Sequence, residues 1–202
     1  MRTREGNKEK EIFEAAIKVF AEQGYFKATI SHIASAAGLA TGTVYLYFGK
    51  KESILLKIFE QVWGELFRQI ERLHDRADLD SREKFETIID ALFDYFTSNP
   101  SLALVFVNEQ QHLIRKDAEH FTRFYNKTMV LSETLMQEGI SDGVFNPYID
   151  APVFSAFFFG GLRHLLHQWA ENRPGFSLGE IRQTMKLVVF HGIGTSADEH
   201  QA

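Results

Sequence analysis

At 202 residues, with 45% hydrophobic and 24% charged residues, the chain has the composition of a folded globular protein of one or two domains. Cysteine is absent, so disulfides, thiolate zinc sites and cysteine nucleophiles are excluded. The formal net charge of −5 argues, for the chain as a whole, against a nucleic-acid partner. Because no apolar run is long enough to cross a bilayer and the first residues are charged, we expect a cytoplasmic protein without a membrane partner.

The charges are unevenly distributed along the chain. The first 57 residues carry nine Lys or Arg and six Asp or Glu, a net charge of +3. The remaining 145 carry thirteen and twenty-one, a net charge of −8, and they also hold fifteen of the nineteen Phe residues. The basic first part can therefore attract phosphate even though the whole chain is acidic.

Apolar residues recur three and four positions apart over most of the chain, which is the period of an α-helix. The first such stripe covers residues 12–20, and Gly24 is predicted to follow the end of its helix. Longer stripes cover residues 54–70 and 85–96. Further helices are predicted over residues 100–115, 117–139, 150–172 and 177–191. No period-two alternation is sustained, so the fold is predicted to be all-α with about nine helices.

Two short helices joined by a tight turn are predicted between Thr29 and Phe48. Thr29 can cap the first helix and Thr41 the second, and Gly38 provides the positive φ that a sharp turn needs. Ala34 is small where the second helix must cross closely. This spacing is typical of a helix-turn-helix: a small residue is followed four positions later by a glycine and six positions after that by an apolar residue. An ordinary helical hairpin also fits.

This region resembles the DNA-binding domain of the TetR family of bacterial repressors. The family pattern places a helix ending in glycine before a fixed series of Thr, Ile-Ala, Ala-Gly, Gly, Tyr, Phe and Lys-Glu. The residues that match this series are Thr29, Ile33, Ala34, Ala37, Gly38, Gly42, Tyr45, Phe48, Lys51 and Glu52. The resemblance is sharp over residues 8–57 and extends beyond them in length and helix order.

The resemblance implies both a domain organisation and a function. It implies a helix-turn-helix DNA-binding domain over residues 1–50 and a helical effector-binding and dimerisation domain over 51–194. The tail over 195–202 is predicted to be disordered because its residues are small and polar. The resemblance also implies a transcriptional regulator, a repressor, that binds a palindromic double-stranded DNA operator as a homodimer and is released by a small hydrophobic effector. Neither enzymatic activity nor a cofactor is expected.

The predicted DNA contacts lie on the second short helix and beside it. Backbone N–H groups and hydroxyls at a helix start favour phosphate or base contacts, and a lysine at such a start is unfavourable unless an anion is near. The predicted DNA-binding residues are Thr29, Thr41, Gly42, Thr43, Tyr45, Tyr47, Lys50 and Lys51. Residues 33–49 include no Arg, Lys, Asp, Glu, Asn or Gln, so thymine-methyl contacts, hydroxyl contacts and phosphate anchoring are expected to dominate.

An effector cavity is predicted in the second part of the chain. Glu109 falls on the apolar stripe of a predicted helix, where a carboxylate is either paired internally or lines a cavity. The predicted ligand-binding residues are Phe67, Phe96, Phe106, Glu109, Leu113, Phe124 and Tyr125. The stretch 129–169 resembles the members of the family that respond to fatty acyl-CoA, which implies a long apolar ligand. A hydrophobic drug or a lipophilic cation attracted by Glu109 also fits.

A dimer interface is predicted on the helix that begins near residue 151, which is too apolar for one buried stripe. Gly160 and Gly161 within a helix each cost about 1 kcal/mol relative to Ala, a cost that close approach of a second chain could offset. With the helix over 177–191, this helix resembles the pair that forms the family's dimer bundle, although a core within one chain also fits. The predicted interface residues are Phe154, Phe158, Gly161 and Leu165.

Two other functions fit parts of the sequence. Eight histidines suggest a metal site, and His164 and His167 lie three positions apart on one predicted helix. No third ligand completes a close spacing, and no metalloprotease, phosphate-loop or nucleophile-elbow motif is present. A metal-dependent enzyme and an all-α ligand-binding protein without a DNA-binding role are therefore the alternatives.

Overall fold

The computed structural model describes residues 2–116, 118–172 and 177–192, with side chains over 8–110, 122–123, 125–172 and 177–192. The regular elements of these ranges are all α-helices, so the all-α prediction is confirmed. They are α1 (Arg2–Lys27), α2 (Ile30–Ala36), α3 (Thr41–Phe48), α4 (Lys51–His74), α5 (Ser81–Thr97), α6 (Pro100–Lys116), α7 (Ala118–Ser141), α8 (Ala151–Ala170) and α9 (Leu178–Gly192). The predicted tail over 195–202 lies outside the described residues.

Several helices begin where a polar side chain accepts hydrogen bonds from the free N–H groups of the first turn. At the start of α5, Asp80 accepts from the N–H of Glu83 at 2.8 Å, and Glu83 accepts from the N–H of Asp80 at 3.0 Å. This reciprocal pair is a capping box. Asn99 and Asp150 cap α6 and α8 by accepting from the N–H three residues ahead. These polar residues fix where the helices start.

The described chain forms two compact units, Met1–Gly64 with Asn99–Phe124 and Glu65–Ser98 with Tyr125–Ala202. In the first unit α1 packs against α6 and α2, and α2 packs against α3. In the second unit α5 and α8 both pack against α9. These units are groups of residues that lie close together, and their limits do not test the functional domain limits of 1–50 and 51–194. The domain limits drawn from the sequence therefore stay a prediction.

Each unit has its own apolar core. In the first unit the fully buried side chains include those of Ile12, Ala16, Ile33, Val44, Ile54, Leu55 and Ile58. In the second unit they include those of Ile89, Phe93, Phe96, Met136, Phe145 and Leu166. No helix in the described ranges has the length and apolarity needed to cross a membrane.

Candidate nucleic-acid interface and effector cavity

Helices α2 and α3 form a helix-turn-helix within the first unit. Thr29 has an extended backbone, and its hydroxyl oxygen accepts a hydrogen bond from the N–H of His32 at 3.1 Å, so it caps α2. Gly38 has a φ of 66°, the left-handed conformation that the sharp turn requires. The N–H of Leu39 then donates to the carbonyl oxygen of Ala34 at 2.9 Å and closes the turn. The local sequence thus sets the geometry of the motif.

Helix α3 has a buried face and an exposed face. Val44 is fully buried, whereas Tyr45 and Leu46 are 54% and 83% exposed. Ala40, which makes no side-chain hydrogen bond, occupies the N-cap position, and Thr41 is the first helical residue. The predicted capping role of Thr41 is therefore wrong, because α3 begins one residue earlier than that role requires. The exposed face of α3 is the surface that a DNA groove can reach.

All eight residues predicted to bind DNA lie in the first unit. Five are exposed, namely Thr29, Thr41, Gly42, Tyr45 and Lys50. Three are half-buried, namely Thr43, Tyr47 and Lys51. Their contacts with DNA stay a prediction. Leu46 is missing from the predicted set although it is the most exposed apolar residue of α3. Its position directly between two predicted tyrosines was the available signal.

Lys51 is already engaged within its own chain. Its ammonium donates to the carbonyl oxygens of Tyr25 at 2.8 Å, Phe26 at 3.3 Å and Ala28 at 2.9 Å. The same nitrogen lies 4.4 Å from the centroid of the Tyr25 ring, a cation–π contact. Burial, together with the charges of Glu52 and Glu109, raises the pKa of Tyr25, so its phenol stays neutral. Lys51 therefore binds the end of α1.

The residues predicted to bind an effector are divided between the two units. Phe106 and Glu109 lie in the first, whereas Phe67, Phe96 and Tyr125 lie in the second. The side chains of Leu113 and Phe124 lie outside the described part of the chain. Glu109 is buried, and its Oε1 accepts a hydrogen bond from the N–H of Tyr25 at 2.9 Å. Of the two possibilities for this carboxylate, the structure shows internal pairing.

The second unit contains a small, partly open apolar cavity with room for little more than one water molecule. Helices α4, α5, α7 and α8 supply its lining, which is Ile70, Phe85, Ile88, Ile89, Ser132, Leu135, Phe154, Ser155, Phe158 and Phe159. None of the five predicted effector-binding residues whose side chains are described is in this lining. Two polar residues, Ser132 and Ser155, interrupt otherwise apolar helix faces and were the signal in the sequence.

The four residues predicted at the dimer interface do not share one environment. Phe154 and Phe158 are 8% and 7% exposed and line the cavity of their own unit, while Gly161 and Leu165 are half-buried. Their contacts with a second chain stay a prediction.

A different set of apolar side chains on α8 and α9 faces solvent. These are Val153 at 67%, Phe157 at 67%, Leu187 at 57% and Val188 at 52% exposed, and we call them the α8–α9 apolar face. Helices α8 and α9 pack against each other within the unit. Large apolar side chains exposed on two helices that pack together are candidates for an interaction surface.

Two family matches together account for most of the chain. Residues 12–58 match the family described as "Bacterial regulatory proteins, tetR family". Residues 78–193 match the family described as "Tetracyclin repressor-like, C-terminal domain". The chain belongs to the TetR family. The helix-turn-helix of α2 and α3 lies within the first match, so this TetR-family protein is a DNA-binding transcriptional regulator.

Individual relatives of this TetR-family regulator include a regulator of fatty acid metabolism and a transcriptional repressor. It is 26% identical to the fatty acid metabolism regulator protein of Bacillus subtilis over 91% of this chain and 94% of that protein. It is 28% identical to the transcriptional repressor KstR2 of Rhodococcus jostii over 73% of this chain and 72% of that protein.

Two solved structures are similar along nearly their whole length. The first is the fatty acid degradation regulator FadR of Bacillus halodurans, with a TM-score of 0.77, 27% identity and coverage of 90% of this chain and 93% of that one. The second is FadR of Bacillus subtilis in complex with stearoyl-CoA, with a TM-score of 0.76, 26% identity and coverage of 91% and 98%.

The histidines that suggested a metal site are placed apart from any cluster of ligands. His167 pairs with Glu171, with 3.5 Å between Nε2 and Oε1, and His164 is exposed on the same helix. Over the described residues of this TetR-family regulator, no three His, Asp or Glu side chains are grouped as metal ligands would be.

Proposed function

We propose that this regulator is a repressor that binds a palindromic operator as a homodimer and is released by a small hydrophobic effector of the fatty acyl-CoA class. The observation that carries the proposal is the apolar cavity of the second unit, present in a chain that also has a helix-turn-helix. The similarity of the whole chain to a FadR solved in complex with stearoyl-CoA supports the proposed class of effector.

In this proposal the exposed side of α3 contacts the operator. The predicted DNA-binding residues other than Lys51 supply hydroxyls, backbone N–H groups and one exposed lysine, Lys50. Leu46 joins them because an aliphatic side chain that is 83% exposed on this helix can pack against thymine methyl groups. Phosphate contacts then provide affinity, and methyl contacts provide part of the sequence preference.

Dimerisation uses the α8–α9 apolar face in this proposal. A Cβ placed on Gly160 or Gly161 would meet no atom of the described residues within 4 Å, so packing among these residues does not require glycine there. Two adjacent glycines inside a helix still cost about 1 kcal/mol each relative to Ala. Close approach of a second chain beside Val153 and Phe157 accounts for both the glycines and the exposed apolar side chains.

The effector acts by shifting a population of conformations. A ligand that occupies the cavity between α4, α5, α7 and α8 stabilises the conformations in which those helices stand further apart. A decrease of about 5- to 150-fold in operator affinity needs only about 1–3 kcal/mol of coupling between effector and operator. The apolar lining accepts the hydrocarbon part of the ligand. Its two polar residues are Ser155 and Ser132, and the Ser132 hydroxyl, which donates to the carbonyl oxygen of Thr128 at 2.8 Å, can still accept a hydrogen bond.

Operator binding in the presence of candidate effectors tests this function. Sites selected from random DNA provide the probe, and fluorescence anisotropy measures its dissociation constant while acyl-CoAs of increasing chain length are added. Free coenzyme A and a lipophilic cation serve as alternative ligands. We expect only the acyl-CoAs to release the DNA. Release by the cation alone, or by none of these compounds, would contradict the proposed effector class.

A cavity-filling variant locates the effector site in the same assay. Ile88→Trp fills the lining from α5, whereas Val130→Trp places the same side chain at a position of α7 that is 60% exposed and outside the lining. We expect Ile88→Trp to need at least about tenfold more acyl-CoA for release, since steric exclusion of a few methylenes removes about 1.4 kcal/mol or more. The Val130→Trp control is expected to respond like the natural protein.

A further inference from the structure

A break in α1 places one backbone N–H next to a buried carboxylate. Gly24 leaves the helical conformation, with φ 73° and ψ 156°, and helical turns resume through Lys27. The N–H of the next residue, Tyr25, donates to Oε1 of Glu109 on α6 at 2.9 Å. Glu109 is only 8% exposed and Tyr25 only 2%, so water has little access to this bond. A buried N–H without an acceptor would be strongly unfavourable.

The carbonyl groups of the same segment bind a second charged side chain. Lys51, the first residue of α4, directs its ammonium at the carbonyl oxygens of Tyr25, Phe26 and Ala28. An ammonium has three N–H donors, and three carbonyl oxygens therefore use its full donor capacity. Residues 25–28 are held from one side by Glu109 and from the other by Lys51. We call residues 25–28 the clamped segment.

The clamped segment and Lys51 stand at the two ends of the helix-turn-helix. The clamped segment leads directly into Thr29, the cap of α2, while Lys51 follows the end of α3 by three positions. We propose that Glu109 and Lys51 are positioning residues for operator binding, which fix the helix-turn-helix on α1 and α6 through the clamped segment. In this role Glu109 is no effector contact, and Lys51 is no phosphate contact.

This inference rests on the DNA binding of the proposed function and adds a route by which α6 influences it. A shift of α6 moves the carboxylate of Glu109, which is the acceptor for the Tyr25 N–H. The clamped segment then loses its fixed position, and the spacing of α2 and α3 relative to α1 is no longer defined. Operator affinity falls even though no side chain that faces the DNA has changed.

Substitutions of Glu109 test the acceptor role. Glu109→Leu leaves the Tyr25 N–H without an acceptor, and we expect operator binding about tenfold weaker, in line with the cost of an unsatisfied buried donor. Glu109→Gln keeps an acceptor oxygen and is expected to restore binding to within about threefold of the natural protein. Val105→Ala, another buried site on α6, controls for general loss of stability. All constants are measured on the folded fraction, determined by stoichiometric titration with operator.

Substitutions of Lys51 test whether its charge meets phosphate. The slope of log K against log salt is negative. Loss of a phosphate contact makes it shallower by about 1 per lysine, or by about 2 in a dimer. We expect Lys51→Met to weaken binding and to leave the slope unchanged. In contrast, Lys50→Met, at the exposed neighbouring position, should make the slope shallower. A double substitution of Glu109 and Lys51 should weaken binding by less than the product of the two single effects.

The outcomes separate this inference from the function on which it rests. Failure of the natural protein to bind any selected DNA would overturn the proposed function itself. With DNA binding established, a shallower slope for Lys51→Met would show that Lys51 contacts phosphate and would overturn the inference. Binding by Glu109→Gln as weak as that by Glu109→Leu, or loss of affinity in Val105→Ala equal to that in Glu109→Leu, would also overturn it.

Discussion

His74, the last residue of α4, lies between two carboxylates. Its Nδ1 lies 3.0 Å from Oδ1 of Asp75, and its Nε2 lies 3.0 Å from Oε1 of Glu138 on α7. A neutral imidazole has one donor and one acceptor nitrogen, so both contacts are hydrogen bonds only when the ring is protonated. The hydrogen bond to Asp75, followed by that to Glu138, raises the pKa of His74 against the opposing effect of burial.

The raised pKa predicts a pH-dependent contribution of His74 to stability. For a group whose pKa is higher when folded, the contribution is complete below the unfolded pKa of about 6.5 and is lost as pH rises through the folded value. We expect the difference in melting temperature between the natural protein and His74→Gln to be larger at pH 6 than at pH 9. Calorimetry measures it, with His32→Gln on the exposed side of α2 as the control. An equal difference at both pH values would contradict the pairing.

Gly139 on α7 has no room for a side chain. A Cβ there would clash with Cδ2 and Cε2 of Phe145. The Phe145 ring is fully buried and packs edge-on against Phe85 with 4.8 Å between ring centroids, so it cannot move aside freely. The absence of a side chain at position 139 therefore lets the loop after α7 fold back over its last turn.

The close approach at Gly139 predicts the effect of a single methyl group. Gly139→Ala should lower the free energy of unfolding by about 1–3 kcal/mol, the usual cost of overpacking. In contrast, Gly179→Ala in α9 meets no atom of the part of the chain that the structure describes within 4 Å, and it should stabilise the protein by up to about 1 kcal/mol through helix propensity. Urea denaturation measures both changes. A neutral Gly139→Ala would mean that Phe145 can repack.

At the scale of whole helices, the sequence predicts most starts and ends because local side chains determine them. Asp80, Pro100 and Asp150 mark helix starts by capping or by a fixed φ, and Gly38 marks a turn. Gly24, with a φ of 73°, ends the first helical stretch of α1 as predicted, whereas the resumption of helical turns after it was not predictable. It depends on an acceptor 84 residues away in sequence that satisfies the N–H at the break.

The orientation of α8 was also beyond the periodicity of its sequence. Two of its faces are apolar, and a period of 3.6 residues cannot state which of them points inward. The structure turns Phe154 and Phe158 inward and leaves Val153 and Phe157 exposed. The same limit applies to the cavity, because a space bounded by four helices depends on tertiary packing. Phe67 and Phe96 look from sequence as suitable for its lining as Phe85 does.

The exposed side of α8 predicts how the oligomeric state can be changed. Phe157→Asp places a charge within the α8–α9 apolar face without disturbing the core, since Phe157 is 67% exposed in the single chain. We expect light scattering to give a dimer for the natural protein at micromolar concentration and a folded monomer for Phe157→Asp. Tyr148→Asp, at a position that is 94% exposed and outside this face, should stay dimeric. A dimeric Phe157→Asp would place the interface elsewhere.

At the scale of the whole molecule, the net positive charge is confined to the part of the chain that contains the helix-turn-helix. The first 57 residues, which include the helix-turn-helix and its flanks, carry a net charge of +3, and the remaining 145 carry −8. A net charge taken over the entire chain averages these opposite parts and is therefore a poor guide to a nucleic-acid partner. The acidic remainder of the chain disfavours contact with DNA phosphates, so the basic first part is the part that favours it.

The absence of charged and amide side chains from residues 33–49 predicts a specific dependence on salt. Without bidentate contacts to guanine or adenine from α3, we expect phosphate contacts to supply most of the affinity, and each one releases counterions when it forms. We expect log K for the selected operator to fall steeply and linearly with log salt, with a slope of about −0.9 per phosphate neutralised. Anisotropy titrations from low to physiological salt measure this slope, and non-specific DNA of equal length is the control. Because methyl contacts carry no charge, the two DNAs should differ in affinity but little in slope. A flat dependence would show that base contacts, and not phosphates, hold this regulator on its operator.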